Sequence, residues 1–568
     1  MKLGPQSSLA TSTWKKQPLI QEMSKALKTV SINILKRFVD SGYTFSEQRS
    51  LNEGNFQAVN EIGDIVLIND LEGVIPEDFP EGTYIRNGPN PLHPTQTIAK
   101  SIFGTTSYTH FEGQGMLHAV RFNKNSVGEW RISYMNKYVH SDSFELERKR
   151  SEVDFIPAAD GQPGAILAAF VLNMLRFGKP VKDSANTSIF QHAGRAFANS
   201  ENHQPYEIDI SNLETIGPYN VNGAWNHPFT SHPKPVQGSG ELVIMGVNAE
   251  KPHYIIGVIS SDGESLLHEV DLKFKEPRFI HDIGVTRKYN IIMDNPLRFG
   301  IARILSKRPL FDFDMNEKSR IGVMPRLGNA ESVIWFDVEN HCSFHLINCF
   351  EDGNEIVVRG CRTLASVIPG APHNVDKTKW YKRAFLPPDS TSEDFDSSLD
   401  GILFSRPYEW RLNLESATTN EGFISSEKIA MDFPVINENF TGIRNSYGYA
   451  QVVDSEATSK TGLFKYKMIA KLHFDVQDNG GKQESKQSIL VEYHALHEKQ
   501  FCSGVQFVAK KGGIDEDDGW VLAYVHDEGI NISQVYVIDA KRFTEGPIAK
   551  ITLPQRVPYG FHGNFFYK

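Results

Sequence analysis

Short runs of β-branched and aromatic residues, each closed by turn formers, constrain this chain more than any other feature. Glu241-Leu-Val-Ile-Met-Gly-Val247 follows Gly238-Ser-Gly240, and Asn354-Glu-Ile-Val-Val-Arg-Gly360 follows Asp352-Gly353. Comparable runs lie at 332–337, 462–472, 488–493, 520–526 and 534–539. Such runs read as strands, and from about residue 55 onward long helical periods are rare. This density of strands predicts an all-β chain built as a propeller, a sandwich or a large barrel. No repeat of the WD or kelch type decides among the three. The 568 residues could hold several ordinary domains or one large domain with insertions.

Two segments break the texture. Met23, Leu27, Val30, Ile34 and Phe38 share one helical face, with Lys25, Lys28, Lys36 and Arg37 among them, which predicts a basic amphipathic helix in an N-terminal tail of residues 1–45. Residues 46–568 are then expected to form a single domain. Within it, an insertion at about 155–180 carries the apolar stretch Ala165–Leu175, well short of the roughly 20 residues needed to cross a bilayer. Both segments fit helices packed on the main domain, or peripheral contact with membrane lipid.

The net charge of −10 lacks the concentrated Lys and Arg of a general nucleic-acid binder. Cys342, Cys349, Cys361 and Cys502 form no C-x-x-C pair and are too scattered for a disulfide framework, which points to reducing surroundings. No secretory leader pattern is present, and the first twenty residues contain Ser, Thr and Lys without an acid, a composition also found in plastid transit peptides.

Of 19 histidines, four sit in compact motifs of turn formers and bulky apolar residues: Phe229-Thr-Ser-His232-Pro-Lys234, Phe279-Ile-His281-Asp282, Ser343-Phe-His345 and Pro558-Tyr-Gly-Phe-His562-Gly563. They lie far apart in the chain, so they can share a site only if separate strands converge. Read alone, these motifs fit packed histidines at strand turns as well as ligands.

Further motifs decide how they are read. Tyr84-Ile-Arg-Asn-Gly-Pro-Asn-Pro91, Gly115-Met-Leu-His-Ala-Val-Arg-Phe122, Ser231-His-Pro-Lys234, Ile280-His-Asp282, Ile321-Gly-Val-Met-Pro-Arg326, Glu516-Asp-Asp-Gly519, Tyr524-Val-His-Asp-Glu528 and Arg556-Val-Pro-Tyr-Gly-Phe-His-Gly563 follow one another along the chain. In kind and order they resemble the motifs of the carotenoid cleavage oxygenases, from about residue 60 to the C-terminus. The resemblance implies a seven-bladed β-propeller under a dome of loops and short helices. It also implies one axial Fe(II) held by His232, His281, His345 and His562, with O2 as co-substrate.

Four neutral imidazoles suit Fe(II), and an octahedral arrangement of them leaves two positions for dioxygen or water. Each ligand's other ring nitrogen needs an acceptor to fix tautomer and orientation. By family motif two of the acids that do this correspond to Glu201 and Asp432. Where the third is expected, as the partner of His562, Ser503-Gly504-Val505 supplies a glycine instead. A second departure is Phe111-Glu-Gly-Gln-Gly115, which keeps the glycines of a turn but changes its acids. Phe344 and Phe561, each directly before a ligand, are expected to line the metal cavity.

The activity implied is cleavage of a conjugated C=C bond in a hydrophobic polyene, a carotenoid or apocarotenoid, into two carbonyl products. The nearest look is to plant 9,10(9′,10′)-cleaving enzymes and zaxinone synthase-like relatives. Stilbene-type cleavage and polyene isomerisation on the same iron remain alternatives, as does a propeller that binds without catalysis. The start of the chain resembles that of cytosolic plant members, which implies a cytoplasmic, membrane-associated enzyme, with the plastid as the alternative location.

Overall fold

The computed structural model describes residues 32–47, 53–150, 153, 155–306, 308–372, 375–388, 391, 393–477 and 488–568. Every run read as a strand is one. The structure has Leu242–Val247, Ile334–Val338, Glu355–Arg362, Tyr466–Gln477, Ile489–Ala495, Gly519–Asp527 and Ile532–Asp539 at those places. The described chain is predominantly β.

Four antiparallel four-stranded sheets follow one another in the sequence. Their first strands are Ser188–His192, Lys234–Pro235, Ile283–Val285 and Leu346–Asp352. A nine-stranded sheet then begins at Met431–Val435 and takes in the early strand Leu71–Gly73 beside Ala549–Thr552. In a five-stranded sheet the last strand, Gly563–Tyr567, pairs antiparallel with Gly82–Asn90, in register from Gly563↔Arg86 to Tyr567↔Gly82. The two ends of the chain are thus joined twice by backbone hydrogen bonds.

These sheets pack in sequence order, face on face. Trp225, Phe229, Ile244 and Ile255 fill the layer between the first and second four-stranded sheets with Phe197. Val243 and Ile256 meet Ile283 and Ile292 in the next layer, and Met293 and Phe336 meet Val358 and Trp410 in the one after it. Ile347 then meets Ala450 and Leu472. Within the nine-stranded sheet, Tyr449 and Ile469 pack on Phe507 and Val521, and its last strands reach Tyr84 and Val120 of the five-stranded sheet. Ile85 and Leu117 of that sheet cover Ile189 and Ala198, which returns to the first. A sheet covered on both faces by its sequence neighbours is not the arrangement of a two-layer sandwich.

Helices are few among the described residues. The expected helix at 165–175 is Pro163–Phe177, begun by a proline at its first position and ended by Gly178 in the left-handed conformation. Residues 32–42 are helical as well, while Met23, Leu27 and Val30 lie outside the described residues. Here the expected face is rotated. Leu35 and Val39 dock on Ala169 and Leu172, whereas Ile34 and Phe38 are 63% and 43% exposed. The i, i+4 spacing admits both stripes, and contact with the second helix selects Leu35 and Val39.

Trp225 shows how the packing reaches the histidine motifs. Fully buried, it donates from its indole nitrogen to the Pro228 carbonyl (3.1 Å), in the turn that leads to His232. A Cβ on Gly257 would lie 2.7 Å from the indole, so the neighbouring strand must carry glycine there. Trp225→Ala is expected to cost about 3–5 kcal/mol, read as a lower midpoint of denaturant unfolding.

Candidate metal centre

His232, His281, His345 and His562 each stand one or two residues ahead of a strand: Lys234–Pro235, Ile283–Val285, Leu346–Asp352 and Gly563–Tyr567. Three of these strands open consecutive sheets and the fourth is the last of the chain. Their starts converge, and one ligand-type nitrogen from each histidine lies within 4.8 Å of the others. The Nε2 atoms of His232 and His281 are 2.9 Å apart.

Backbone and side chains fix the turns that carry them. The His232 amide donates to Thr230 Oγ1 (3.1 Å), and Ser188 Oγ donates to the Ser231 carbonyl (2.6 Å). Asp282 does more. Buried beside His281, it accepts from Lys234 Nζ (2.9 Å), from the Ile283 amide (2.8 Å) and from the Leu346 amide (2.9 Å). One carboxylate therefore binds together the segments that carry three of the four histidines. The motif Ile280-His-Asp282 was visible in the sequence, but nothing local marks its aspartate as the tie.

The two expected acids fall on two of the rings. His281 Nδ1 bonds Glu201, and His345 Nδ1 bonds Asp432 Oδ1 at 2.8 Å. Burial pushes the Glu201 carboxyl up, but the facing His281 ring and its hydrogen bond outweigh this and hold it below the usual carboxylate range. With a carboxylate accepting from Nδ1–H, the Nε2 of each ring keeps its lone pair. His345 Nε2 is buried and bonds no described residue. His232 and His562 are driven well below the ordinary histidine range, first by burial and then by neighbouring imidazoles and Lys234. All of this fits a cation. Two donors about 2.1 Å from one ion at a right angle lie about 3 Å apart, close to the His232–His281 separation. Burial raises the thiol pKa of Cys342 to about 12 and that of Cys349 higher still, so both stay protonated, and neither belongs to the histidine group.

Aromatic rings cover one side. Phe433 lies 4.5 Å from the His345 ring and 4.7 Å from that of His562, centroid to centroid, and Phe561 lies 6.3 Å beyond it. Both line a cavity of about 280 Å³. Phe344 packs on His281 at 5.4 Å and faces a separate space of about 20 Å³ beside Asp432. Phe433 was missed in the sequence. Its φ of +53°, rare for an aromatic residue, belongs to a strand irregularity between Asp432 and Val435 that no local pattern announces.

Residues 56–567 match the family model described as retinal pigment epithelial membrane protein, RPE65. The chain belongs to that family, which is the family of the carotenoid cleavage oxygenases. It is 31% identical to carotenoid 9,10(9′,10′)-cleavage dioxygenase 1 of Pisum sativum over 95% of this chain and 94% of the relative. Among solved structures it resembles a lignostilbene dioxygenase of Pseudomonas brassicacearum (TM-score 0.73, 21% identity, 92% of this chain and 99% of the other). A cobalt-substituted apocarotenoid oxygenase of Synechocystis is similar too (TM-score 0.70, 22% identity, 92% and 100%). Both structures share the fold.

Against this family the chain's departures acquire a physical meaning. Gly504 has φ +66°, and a Cβ there would lie 2.4 Å from Cγ of Arg86. Arg86 is buried, donates to the Pro558 carbonyl (2.5 Å) and lies over the Tyr524 ring at 5.5 Å. The arginine side chain takes up the space an acid would need. Among the described residues no carboxylate bonds His562 or His232. In the other departure, Gln114 bonds the buried Glu147 and accepts from the Leu92 amide (3.0 Å), so that segment is an anchor as well as a turn.

Glu201→Gln or Asp432→Asn is expected to lower metal affinity by roughly 10–100-fold, measured by competition with a chelator. Asp282→Ala should weaken metal retention while leaving all four histidines in place. Gly504→Glu should not tighten it, and should lower the free energy of unfolding by about 1–3 kcal/mol, read as an earlier denaturant midpoint.

Proposed function

We propose that this chain is a non-haem Fe(II) dioxygenase, with His232, His281, His345 and His562 as the metal ligands. Its substrate would be a carotenoid or apocarotenoid, cut at one conjugated C=C bond into two carbonyl products. The observation that carries this is the pairing of acid-fixed imidazoles with an orphaned, buried His345 Nε2 beside an aromatic cavity. When bound, ferrous iron supplies the activation of dioxygen toward the double bond.

The protein's own part is positional. Glu201 and Asp432 hold the rings of His281 and His345 with Nε2 turned inward. Four uncharged ligands leave the charge of the ion to these two outer carboxylates. Phe433 and Phe561 form a wall against which a polyene lies flat. No side chain is needed as a nucleophile.

The fold that goes with this reading is a seven-bladed propeller. The packing layers run in order through the four-stranded sheets, the two halves of the nine-stranded sheet and the five-stranded sheet, then back to the first. Counting the nine-stranded sheet as two blades gives seven. The outer helices suggest where the substrate enters. Ile34 and Phe38, and Val171 and Leu175 of Pro163–Phe177, expose apolar side chains next to the cluster that joins the two helices. No described helix is long and apolar enough to span a bilayer. A peripheral lipid contact in the cytoplasm is the favoured setting, with the plastid as the alternative.

Purified protein is expected to carry about one iron per chain, and His281→Ala or His345→Ala to lose most of it, as metal analysis would show. An apocarotenal incubated under labelled dioxygen should yield two shorter carbonyl compounds carrying the label. An intact, rearranged polyene would refute the dioxygenase reading, and cleavage confined to stilbene-type alkenes would redirect its substrate. Val171→Asp with Leu175→Asp should reduce co-sedimentation with anionic vesicles and leave cleavage in detergent intact.

A further inference from the structure

The cavity beside the histidine cluster is lined by phenylalanine and tyrosine rings together with Lys, Thr and Asp side chains, and one imidazole stands among them. His110 lines it, 8% exposed, and meets Phe561 edge-on at 5.9 Å and Phe56 edge-on at 5.4 Å. Its place is fixed from below. The short turn His110–Glu112 is closed by Glu112, whose carboxylate accepts from the Thr109 amide (2.7 Å) and Oγ1 (3.1 Å). Phe561 separates it from Phe433, which touches His345 and His562. Along this path two aromatic rings, Phe561 and Phe433, lie between His110 and the histidine cluster.

Burial foremost, and the nearby Arg86 cation second, lower the His110 pKa to about 4. At physiological pH the ring is neutral and offers one donor and one acceptor. Neither nitrogen hydrogen-bonds a described residue, and its ring neighbours are Phe56 and Phe561. The nearby phenol of Tyr559 is already engaged, donating to Glu528 Oε1 (2.9 Å). A ring fixed at a cavity wall with its hydrogen-bonding groups left to the cavity is how binding sites orient a ligand, and the buried hydroxyls of Tyr108 and Tyr466 in the same lining likewise lack a partner among the described residues.

We propose that His110 recognises an oxygen-bearing end of the substrate, a carbonyl or hydroxyl group. This selects oxygenated apocarotenoids over hydrocarbon polyenes and sets which bond lies at the metal. The assignment rests on the reading of the chain as a polyene-cleaving enzyme. An oxygenated end completes the imidazole's hydrogen bonding. A hydrocarbon end leaves it buried and unsatisfied, the situation in which sites discriminate most strongly.

The test compares an apocarotenal, the matching apocarotenol and a hydrocarbon polyene of equal length, offered in mixed micelles to the iron-loaded protein without oxygen. Binding is followed by quenching of tryptophan fluorescence. Wild-type protein should bind the two oxygenated compounds about tenfold more tightly than the hydrocarbon, the effect of about one hydrogen bond. His110→Phe should abolish that preference without weakening hydrocarbon binding, and His110→Gln should restore part of it. In turnover, His110→Phe should raise KM for the apocarotenal about tenfold with a smaller change in kcat, and should scatter the position of cleavage. Equal binding of all three by wild type, or a preference that survives His110→Phe, overturns the assignment of His110. A wild-type preference lost in His110→Phe, in a protein that cleaves nothing, supports the assignment and removes the reaction. Protein that binds no polyene overturns both.

Discussion

Four imidazole nitrogens held within 4.8 Å of one another, on one buried ring and three half-buried ones, crowd their lone pairs together unless a cation lies among them. Protonation cannot relieve the crowding, because burial and the neighbouring rings push His232 and His562 well below their ordinary range. Nor can the rings turn away freely. Glu201 and Asp432 hold two of them by Nδ1, and the turns that carry the others are tied to strand starts. Much of the rest of the molecule can be read as the framework that keeps those lone pairs facing inward.

Support is distributed unevenly around the cluster. His281 and His345 have carboxylates, whereas His232 and His562 depend on the backbone of their turns. For His562 that means the last strand of the chain and its pairing with Gly82–Asn90, where the Asn87 amide donates to the His562 carbonyl (2.9 Å). For His232 it means Thr230 and the Lys234–Asp282 pair. The joining of the chain's ends thus bears on the histidine cluster as well as on stability, since fraying of the C-terminal strand would move His562. Asp282 extends the same logic, coupling three ligand-bearing segments through one buried carboxylate.

The histidine layer also borders two spaces with different linings. On the side of Phe433 and Phe561 the cavity of about 280 Å³ is largely aromatic. His232 and His562 themselves border another cavity, of about 200 Å³, whose lining includes Ser188, Lys234, Glu438 and Gln506. A conjugated hydrocarbon laid against the rings of the first would gain about 25 cal/mol for each Å² of apolar surface removed from water.

How much of this was legible in the sequence depended on the range of the interaction. Strands were legible because alternation and turn formers are local. The histidines stood out because each sits in a compact motif just ahead of a strand, and the acids followed from the family pattern. Asp282, Phe433 and the rotated face of the helix at 32–42 were not legible, since each acquires its role from partners distant in the sequence. Gly504 falls between these cases. Its sequence showed that an acid was missing, but not what stood in its place, because Arg86 enters from a strand more than four hundred residues earlier. A positive φ and an occupied space together explain why glycine is kept there, so the departure is part of a packed arrangement in which Arg86, Gly504 and Gly560 fit one another. The uneven bracing of the cluster is therefore built into the fold on the His562 side, where an arginine stem fills the room an acid would have needed.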